Sequence, residues 1–276
     1  MSGREFERLS EFIRSQSGIK MPASKKTMLE SRLQKRLRAL RLSSFREYCE
    51  VLFHPSGGAG ELVHMLDAVT TNKTDFFREP VHFAFLADTA LPEFVSESGQ
   101  RSGKMFTVWS AGCSTGEEPY TLAIVLSEFA ARSPGFQFTI TATDLSTKVL
   151  EKALLGIYDQ HQASTVPPLL MQRYFMRSKD RDQGTVRIVP ELRARVQFRR
   201  LNLMEERFLL FSGALDAIFC RNVLIYFDRD TQYHLLNRLC RSLKTGGHLF
   251  LGHSETVHGF DLPLIRIAST IYRKVS

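Results

Sequence analysis

Cysteine is scarce in this sequence, and its few copies are not grouped. Only four cysteines occur among 276 residues, and no two of them form a CxxC pair. Free, buried thiols in a reducing compartment are therefore favoured over disulfides or a thiolate metal site. The histidines add no ligand pattern, because His248, His253 and His258 are spaced by five, which does not place them on one helix face. We therefore expect no bound metal.

Long apolar runs, internal repeats and low-complexity segments are also absent. No run reaches the length that spans a membrane, and no solenoid period is visible. Charges every few residues in MSGREFERLSEFIR, at the N-terminus, argue against a signal peptide. What remains is a globular chain, expected in the cytoplasm and long enough for one full α/β domain with a smaller companion.

Positive charge is concentrated near the N-terminus. Residues 1–60 hold twelve Lys/Arg and six Asp/Glu, a net charge of +6, whereas the whole chain has a net charge of +8. A helix is predicted from Ser24 to Leu42, with a leucine stripe on one face and basic residues around it. A solvated surface and a docking surface for an acidic partner both fit this pattern. The candidate docking residues are Arg32, Arg36 and Arg38.

The pattern of helices and strands divides the chain in two. Residues 1–80 are predicted as a helical, basic domain with a linker, and residues 81–276 as a second domain. There, apolar strands alternate with helices, which is typical of an α/β fold with a mostly parallel sheet and right-handed crossovers. A break over about residues 160–200 predicts a small inserted antiparallel β-subdomain. Ligands of such sheets bind at the carboxyl ends of the strands.

The segment WSAGCSTGEEPY, Trp109 to Tyr120, joins a predicted strand to a predicted helix. It lacks the Lys of a phosphate loop and the G-x-G of a dinucleotide fingerprint. Acids in a first helical turn complement the helix dipole, but this does not explain the glycines before them. An adenosine ligand with positive charge and no phosphate, such as S-adenosylmethionine, fits better. Asp144, 28 residues after Gly116 at the end of the next strand, is placed for the ribose hydroxyls. This order predicts a Rossmann-like methyltransferase fold.

Several motifs together resemble the chemotaxis receptor glutamate methyltransferases, the CheR family. The resemblance extends from the N-terminal helices to the last strand and implies an S-adenosylmethionine-dependent catalytic domain behind a helical one. The motifs that carry it are WSAGCSTGEEPY, TNKTDFFRE, RYFMR, LDAIFCRNVLIYF and GGHLFLGHSE.

The resemblance implies cofactor contacts from the linker and from the acidic loop. Asn72, Thr74 and Arg78 of TNKTDFFRE are expected to reach the cofactor, although the first two also suit plain turn formation. Of the two acids in GEE, Glu117 is the first choice for a cofactor contact and Glu118 the second.

The remaining implied contacts follow later strands. Asp144 is implied as the ribose ligand, Asn202 and Leu203 lie beside the adenine, and Asn222 and Val223 lie near the methionine part. Tyr226 and Arg78 are implied nearest the transferred methyl group, although Tyr226 also suits a core aromatic. Leu203 and Val223 would contribute backbone groups, since their side chains are apolar.

The implied reaction moves a methyl group to a glutamate on the cytoplasmic helical bundle of a chemoreceptor, leaving S-adenosylhomocysteine. Some relatives also bind a C-terminal receptor pentapeptide through the β-subdomain, using a glycine-rich loop. The corresponding loop here, Arg177 to Gly184, is charged and has one glycine, which departs from that pattern.

Two other functions share parts of this pattern. A nucleic-acid methyltransferase would also join a basic domain to this fold, but the segment CRNVLIYF lacks the Asn/Asp-Pro-Pro-aromatic stretch that holds a flipped base. The second is a catalytically silent receptor-binding adaptor. The intact GEE, Asp144 and RNV argue against such a loss of catalysis.

Overall fold

The computed structural model describes residues 1–54, 58–98, 104–178, 180, 184–205 and 213–276. The N-terminal part is helical, as the sequence predicts. Ser2 starts the first helix in a reciprocal capping box with Glu5, and the helix ends at Gly18, whose φ is 72°. The helices are α1 Gly3–Ser17, α2 Lys26–Leu40, α3 Phe45–Leu52 and α4 Gly58–Val69, with a 3-10 turn Ala23–Lys25 before α2.

The leucine stripe of α2 forms the centre of this helical domain. Leu29 and Leu33 are fully buried, and Leu37 is nearly so, in a cluster that α1, α3 and α4 complete. Burial of one such side chain contributes about 1.5–3 kcal/mol. The stripe therefore fixes how α2 lies on its neighbours, and the basic residues beside it are placed by that packing.

Residues 70–79, which form no helix or strand and end in a turn, lead from α4 to a helix that is not regular. The sequence predicts one helix from Val81 to about Val95, and the structure divides it into α5 Pro80–Phe85, a π-helical turn Leu86–Ala90 and α6 Leu91–Ser98. Leu86 and Leu91 are both fully buried. Their five-residue spacing matches the i to i+5 repeat of the π turn.

A seven-stranded sheet forms the second domain, and it confirms the α/β prediction. The order is β6-β2-β1-β7-β8-β10-β9, parallel from β6 to β8, with β10 and β9 antiparallel at one edge. Its strands are β1 Met105–Ala111, β2 Gln137–Asp144, β6 Val196–Arg200, β7 Leu215–Cys220, β8 Leu243–Leu251, β9 Leu264–Ala268 and β10 Ile271–Lys274. The helices between them are α7 Glu117–Arg132, α8 Thr147–Leu155, α10 Pro190–Arg193 and α11 Arg229–Ser242.

The inserted β-subdomain is present, but its limits differ from the predicted 160–200. It comprises β3 Ile157–Asp159, α9 Pro168–Tyr174, β4 Phe175–Arg177 and β5 Thr185–Ile188, in the antiparallel order β3-β5-β4. The strand expected near its end, β6, instead pairs with β2 as an edge of the main sheet. Sequence periodicity marks a strand but not its partner, which explains the difference.

Gly246 and Gly247 are predicted as a turn before a strand. In the structure they lie inside β8, where its pairing with β7 jumps from Leu215–Leu243 to Ala217–His248. A Cβ on Gly247 would lie 2.9 Å from the Lys244 carbonyl oxygen, so the irregularity requires glycine. Within the described residues, no helix is both long and apolar enough to cross a bilayer.

Candidate active site

A cavity of about 320 Å³ lies between the helical domain, the linker and the carboxyl ends of β1, β2 and β7. This is the position expected for the ligand of a parallel sheet. Ten of the residues expected at the cofactor or the methyl group line it: Asn72, Thr74, Arg78, Glu118, Asp144, Asn202, Leu203, Asn222, Val223 and Tyr226.

The glycine loop after β1 is fixed by its backbone. The Gly112 and Cys113 amides donate to the Thr143 carbonyl oxygen at 2.8 and 2.9 Å. Gly112 has a φ of 79°, and a Cβ there would lie 2.6 Å from a methyl group of Val223. A side chain at Gly112 would therefore enter space that the cavity and Val223 share.

The two acids that follow the loop point in different directions. Glu118 lines the cavity, where it accepts from the Ser110 hydroxyl at 2.6 Å and from Arg221 at 3.1 Å. Glu117 lies outside the lining, is 1% exposed and accepts from the Thr115 hydroxyl at 2.7 Å. Burial raises the pKa of both carboxyls. The geometry thus places the second choice of the sequence analysis, and not the first, in the cavity.

Asp144 ends β2 at the cavity wall, as expected. Its carboxylate accepts from the Ser114 amide at 2.8 Å and from the Ser146 amide at 2.9 Å. Burial raises the pKa of Asp144, while these backbone donors oppose the rise. The residue therefore holds the glycine loop against the start of α8 and keeps lone pairs that face the cavity.

Arg221, which the sequence analysis did not select, connects the cavity to the linker. Its side chain is 2% exposed. It donates to Glu118, to Glu79 at 3.3 Å, and to the Arg78 carbonyl oxygen through a short hydrogen bond. Phe77 and Glu79, on either side of Arg78, have φ values of 53° and 56°. Each such backbone costs of order 1–3 kcal/mol, so the turn that presents Arg78 needs external support.

The linker is also held from two other directions. The Asn72 carbonyl oxygen accepts from the Ser114 hydroxyl at 3.0 Å. The Phe76 carbonyl oxygen accepts from the Thr165 hydroxyl of the β-subdomain at 2.8 Å. The Arg78 guanidinium lines the cavity and donates to the Lys73 carbonyl oxygen at 3.0 Å. The position of Arg78 therefore depends on three parts of the chain: the glycine loop through Ser114, the β-subdomain through Thr165, and Arg221 after β7.

A second residue that the sequence analysis did not select, Glu255, shapes the loop after β7. This buried carboxylate accepts from the amides of Gly252, Asn222 and Leu224 at 2.6, 2.9 and 2.7 Å. Burial raises the pKa of Glu255, against the effect of these donors. Asn222 has a φ of 59°, so the carboxylate stabilises a loop conformation that is costly for a residue with a side chain.

The helical domain closes the cavity. The side-chain amide of Asn202 donates to the Gln16 carbonyl oxygen at 2.6 Å. The backbone amide of Lys20 donates to the Tyr226 carbonyl oxygen at 2.8 Å. The Lys25 ammonium lies 5.8 Å from the centre of the Tyr226 ring. Asn202 and Tyr226 are thus placed at the boundary between the two domains.

The candidate docking arginines of α2 have different surroundings. Arg36 forms a two-point ion pair with Glu61 at 2.9 and 2.6 Å, and the Tyr48 hydroxyl joins it. Arg32 donates to the Val69 and Thr70 carbonyl oxygens. Both therefore brace α2 against α4 and the start of the linker, and both side chains stay partly exposed. Arg38 is exposed.

One group of possible metal ligands lies beside Arg221. It consists of Glu79, His82 and His253, whose ligand atoms lie within 4.8 Å of one another. Burial lowers the pKa of His82 to about 4, so its imidazole is neutral near pH 7. However, Arg221 lies 3.0 Å from the Glu79 oxygen that would face an ion. The guanidinium already supplies positive charge there, and we keep the expectation that no metal is needed.

The residues around the cavity fit S-adenosylmethionine. Glu118 and Asp144 offer carboxylates for positive charge and hydroxyl groups, Leu203 and Val223 are apolar, and Gly112 leaves space that a Cβ would fill. Residues 72–272 match the family profile described as "CheR methyltransferase, SAM binding domain", and residues 4–70 match "CheR methyltransferase, all-alpha domain". This chain belongs to the CheR methyltransferase family.

Relatives within the CheR family match nearly the whole chain. A chemotaxis protein methyltransferase of Klebsiella aerogenes is 42% identical over 99% of this chain and 90% of that protein. The Escherichia coli chemotaxis protein methyltransferase is 40% identical over 99% of this chain and 91% of that protein. Chemotaxis protein methyltransferase 2 of Pseudomonas aeruginosa is 41% identical, over 97% and 92%. The chain is an S-adenosylmethionine-dependent methyltransferase of chemotaxis, as the resemblance predicted.

Proposed function

We propose that this chain methylates glutamate side chains on the cytoplasmic helical bundle of chemoreceptors, forming glutamyl methyl esters. One observation carries the proposal: the cavity brings Glu118 and Asp144 together with Arg78 and Tyr226 beneath a basic helical domain. The acids suit the cofactor, while an arginine at the same cavity suits an anionic acceptor such as a carboxylate.

The residue roles follow from this arrangement. S-adenosylmethionine supplies an electrophilic methyl group on a positively charged sulfur. Glu118 balances that positive end, Asp144 takes the ribose hydroxyls, and Asn202 with Leu203 borders the adenine. The backbone of Asn222 and Val223 borders the methionine part, and Asn72 and Thr74 close the site from the linker. Glu117 supports the loop through Thr115 instead of contacting the cofactor.

No general base is required for this reaction. A glutamate side chain has an ordinary pKa of ~4.3, so the acceptor is already ionised near pH 7. An oxygen–carbon bond forms, a sulfur–carbon bond breaks, and no proton leaves the acceptor. Arg78 holds one carboxylate oxygen while the other attacks, and Tyr226 borders the transferred group. Alignment of this kind contributes of order 7–11 kcal/mol in favourable cases.

Transfer of a labelled methyl group tests the proposal directly. We expect the chain to move label from S-adenosylmethionine to a receptor cytoplasmic fragment, as an ester that base releases. A fragment with glutamine at the acceptor positions is the control, and it should stay unlabelled. Label on DNA would indicate the nucleic-acid methyltransferase instead. Binding of S-adenosylmethionine by calorimetry with no transfer to receptor would indicate the adaptor.

Of the three docking candidates on α2, Arg32, Arg36 and Arg38, the exposed Arg38 is the one whose charge can be reversed without breaking contacts to α4. Arg38→Glu is expected to raise the KM for receptor and to flatten its dependence on salt, because it removes attraction to an acidic helix bundle. The matched control is Arg241→Glu, the same charge reversal on exposed α11. Equal KM values for the two variants would show that docking uses another surface.

A receptor pentapeptide would bind through the β-subdomain. β3 and β4 are the outer strands of that sheet, and strand addition at an outer strand is a general mode of peptide binding. The charged segment from Arg177 to Gly184 follows β4 in the chain, and its residues 179 and 181–183 are outside the described residues. Pentapeptide binding therefore stays a prediction.

A further inference from the structure

Arg221 forms the centre of a buried network that spans three parts of the chain. One guanidinium nitrogen donates to Glu118 of α7 at 3.1 Å. A second donates to the Arg78 carbonyl oxygen and lies 3.0 Å from Glu79, and the third, Nε, donates to Glu79 at 3.3 Å. The exposed fractions of the Glu79 and Glu118 side chains are 9% and 13%. A planar guanidinium is the side chain that can reach all three acceptors at once.

The charges of this network do not balance. Two carboxylates share one guanidinium, which leaves one excess negative charge at the cavity wall. Lys25, Lys73 and Arg78 line the same cavity, but among the described residues none of them forms an ion pair with Glu79 or Glu118. His82 is neutral because burial lowers its pKa to about 4, and the Cys113 and Cys220 thiols are buried and uncharged. The imidazole of His253 is exposed on the far side of Glu79, 3.8 Å from it.

We infer that Arg221 is a positioning residue with two linked roles. It keeps Glu118 ionised as the counter-charge for a cationic ligand, and it fixes the turn from which Arg78 reaches the acceptor. This inference rests on the proposed function, because it assigns Glu118 to the positive end of S-adenosylmethionine and Arg78 to the glutamate.

The two roles depend on different properties of the side chain. The first role needs only the positive charge of Arg221. Burial raises the pKa of Glu118, and the charge of Arg221 opposes that rise and so favours the ionised carboxylate. Support of Arg78 requires a fork, because Phe77 and Glu79 have positive φ, and separate nitrogens of Arg221 hold the carbonyl oxygen between them and the Glu79 carboxylate. Lysine retains the charge but has no fork, and methionine has neither.

The test compares Arg221→Met and Arg221→Lys. In the methionine variant two buried carboxylates lose their cation, so one of them takes up a proton. We expect its affinity for S-adenosylmethionine to fall about tenfold per pH unit as pH decreases, over a range in which the wild-type affinity is constant. In the lysine variant we expect a nearly constant affinity between about pH 6 and pH 9, but a kcat for receptor lowered about 10²-fold.

Lys244→Met is the matched control, because it removes a 2.7 Å ion pair with Asp216 at the opposite end of the same sheet. Its affinity for S-adenosylmethionine should not depend on pH. A flat profile for Arg221→Met, or full kcat for Arg221→Lys, would overturn the inference while the wild type still methylates receptor. Failure of the wild type to bind S-adenosylmethionine would instead overturn the proposed function. If Arg221→Met does not fold, Arg221→Lys decides the positioning role by its kcat alone.

Discussion

Arg78→Ala is expected to lower kcat for receptor methylation by about 10²-fold, the size of effect that misplacement of a reacting group produces. The dissociation constant of S-adenosylmethionine should change by no more than about threefold, as for an ordinary surface substitution. Calorimetry with S-adenosylmethionine and transfer of labelled methyl to receptor measure the two quantities separately.

The expected separation follows from how Arg78 is held. Its carbonyl oxygen is bound by Arg221, and its turn is also supported through Asn72 and Phe76. Loss of the guanidinium removes its hydrogen bond to the Lys73 carbonyl oxygen, but the hydrogen bond from Ser114 to Asn72 still holds the cofactor side of the linker. The acceptor carboxylate loses the group that orients it, and a misaligned carboxylate reacts slowly even when it is ionised.

Two comparisons make this result decisive. Arg78→Lys keeps the positive charge but places it on one nitrogen in place of a planar guanidinium, so the variant should retain an intermediate kcat. Arg132→Ala, an exposed arginine at the end of α7, should behave as the wild type. If Arg78→Ala turned over receptor as fast as the wild type, Arg78 would have no part in the reaction.

The sequence was sufficient to predict the features that depend on neighbouring residues. The alternation of strands and helices predicted the sheet, and the glycine loop followed by acids predicted where the ligand binds. Asp144 was predicted from its place at the end of β2, because ligands of such sheets bind at the carboxyl ends of the strands. These features require only local periodicity and connectivity.

Residues whose role depends on distant partners were not predicted. Arg221 contacts Glu79 and Glu118, 142 and 103 residues away in the chain, and Glu255 contacts Asn222 from 33 residues away. A signal was available for Arg221, since a charged residue directly after the apolar run of residues 217–220 requires a buried partner. The sequence did not indicate which carboxylate would be that partner.

The same limit explains the two arginines of α2 that brace it against α4. A helical wheel places Arg36 beside the leucine stripe, but only the approach of α4 brings Glu61 to it. The strand β6 is a further case, because its pattern is equally compatible with the inserted lobe and with the edge of the main sheet. In each case the sequence predicted the helix face or the strand, but not the element that packs or pairs with it.

Glu255→Ala is expected to have the largest effect on stability together with a loss of activity. The carboxylate accepts three backbone amides, from Gly252, Asn222 and Leu224. An unsatisfied buried donor costs about 1–3 kcal/mol, so the free energy of unfolding should fall by at least about 3 kcal/mol. Urea denaturation followed by circular dichroism measures this change.

The loss of activity in Glu255→Ala has a separate cause. Asn222 has positive φ, and without its acceptor the loop can relax to an ordinary backbone conformation. That relaxation moves Val223, whose methyl group lies where it would meet a Cβ at Gly112 beside the cavity, so kcat/KM should fall about 10²-fold even in the folded fraction.

Glu255→Gln separates the two effects because it preserves the shape of the side chain. The amide retains one acceptor oxygen but directs an NH2 group at a backbone donor, so it should be less stable than the wild type and more stable than Glu255→Ala. Glu151→Ala, on the exposed face of α8, controls for loss of a carboxylate as such. A Glu255→Ala protein as stable as Glu151→Ala would mean that the loop after β7 keeps its conformation without the carboxylate, and the placement of Asn222 and Val223 would then need another cause.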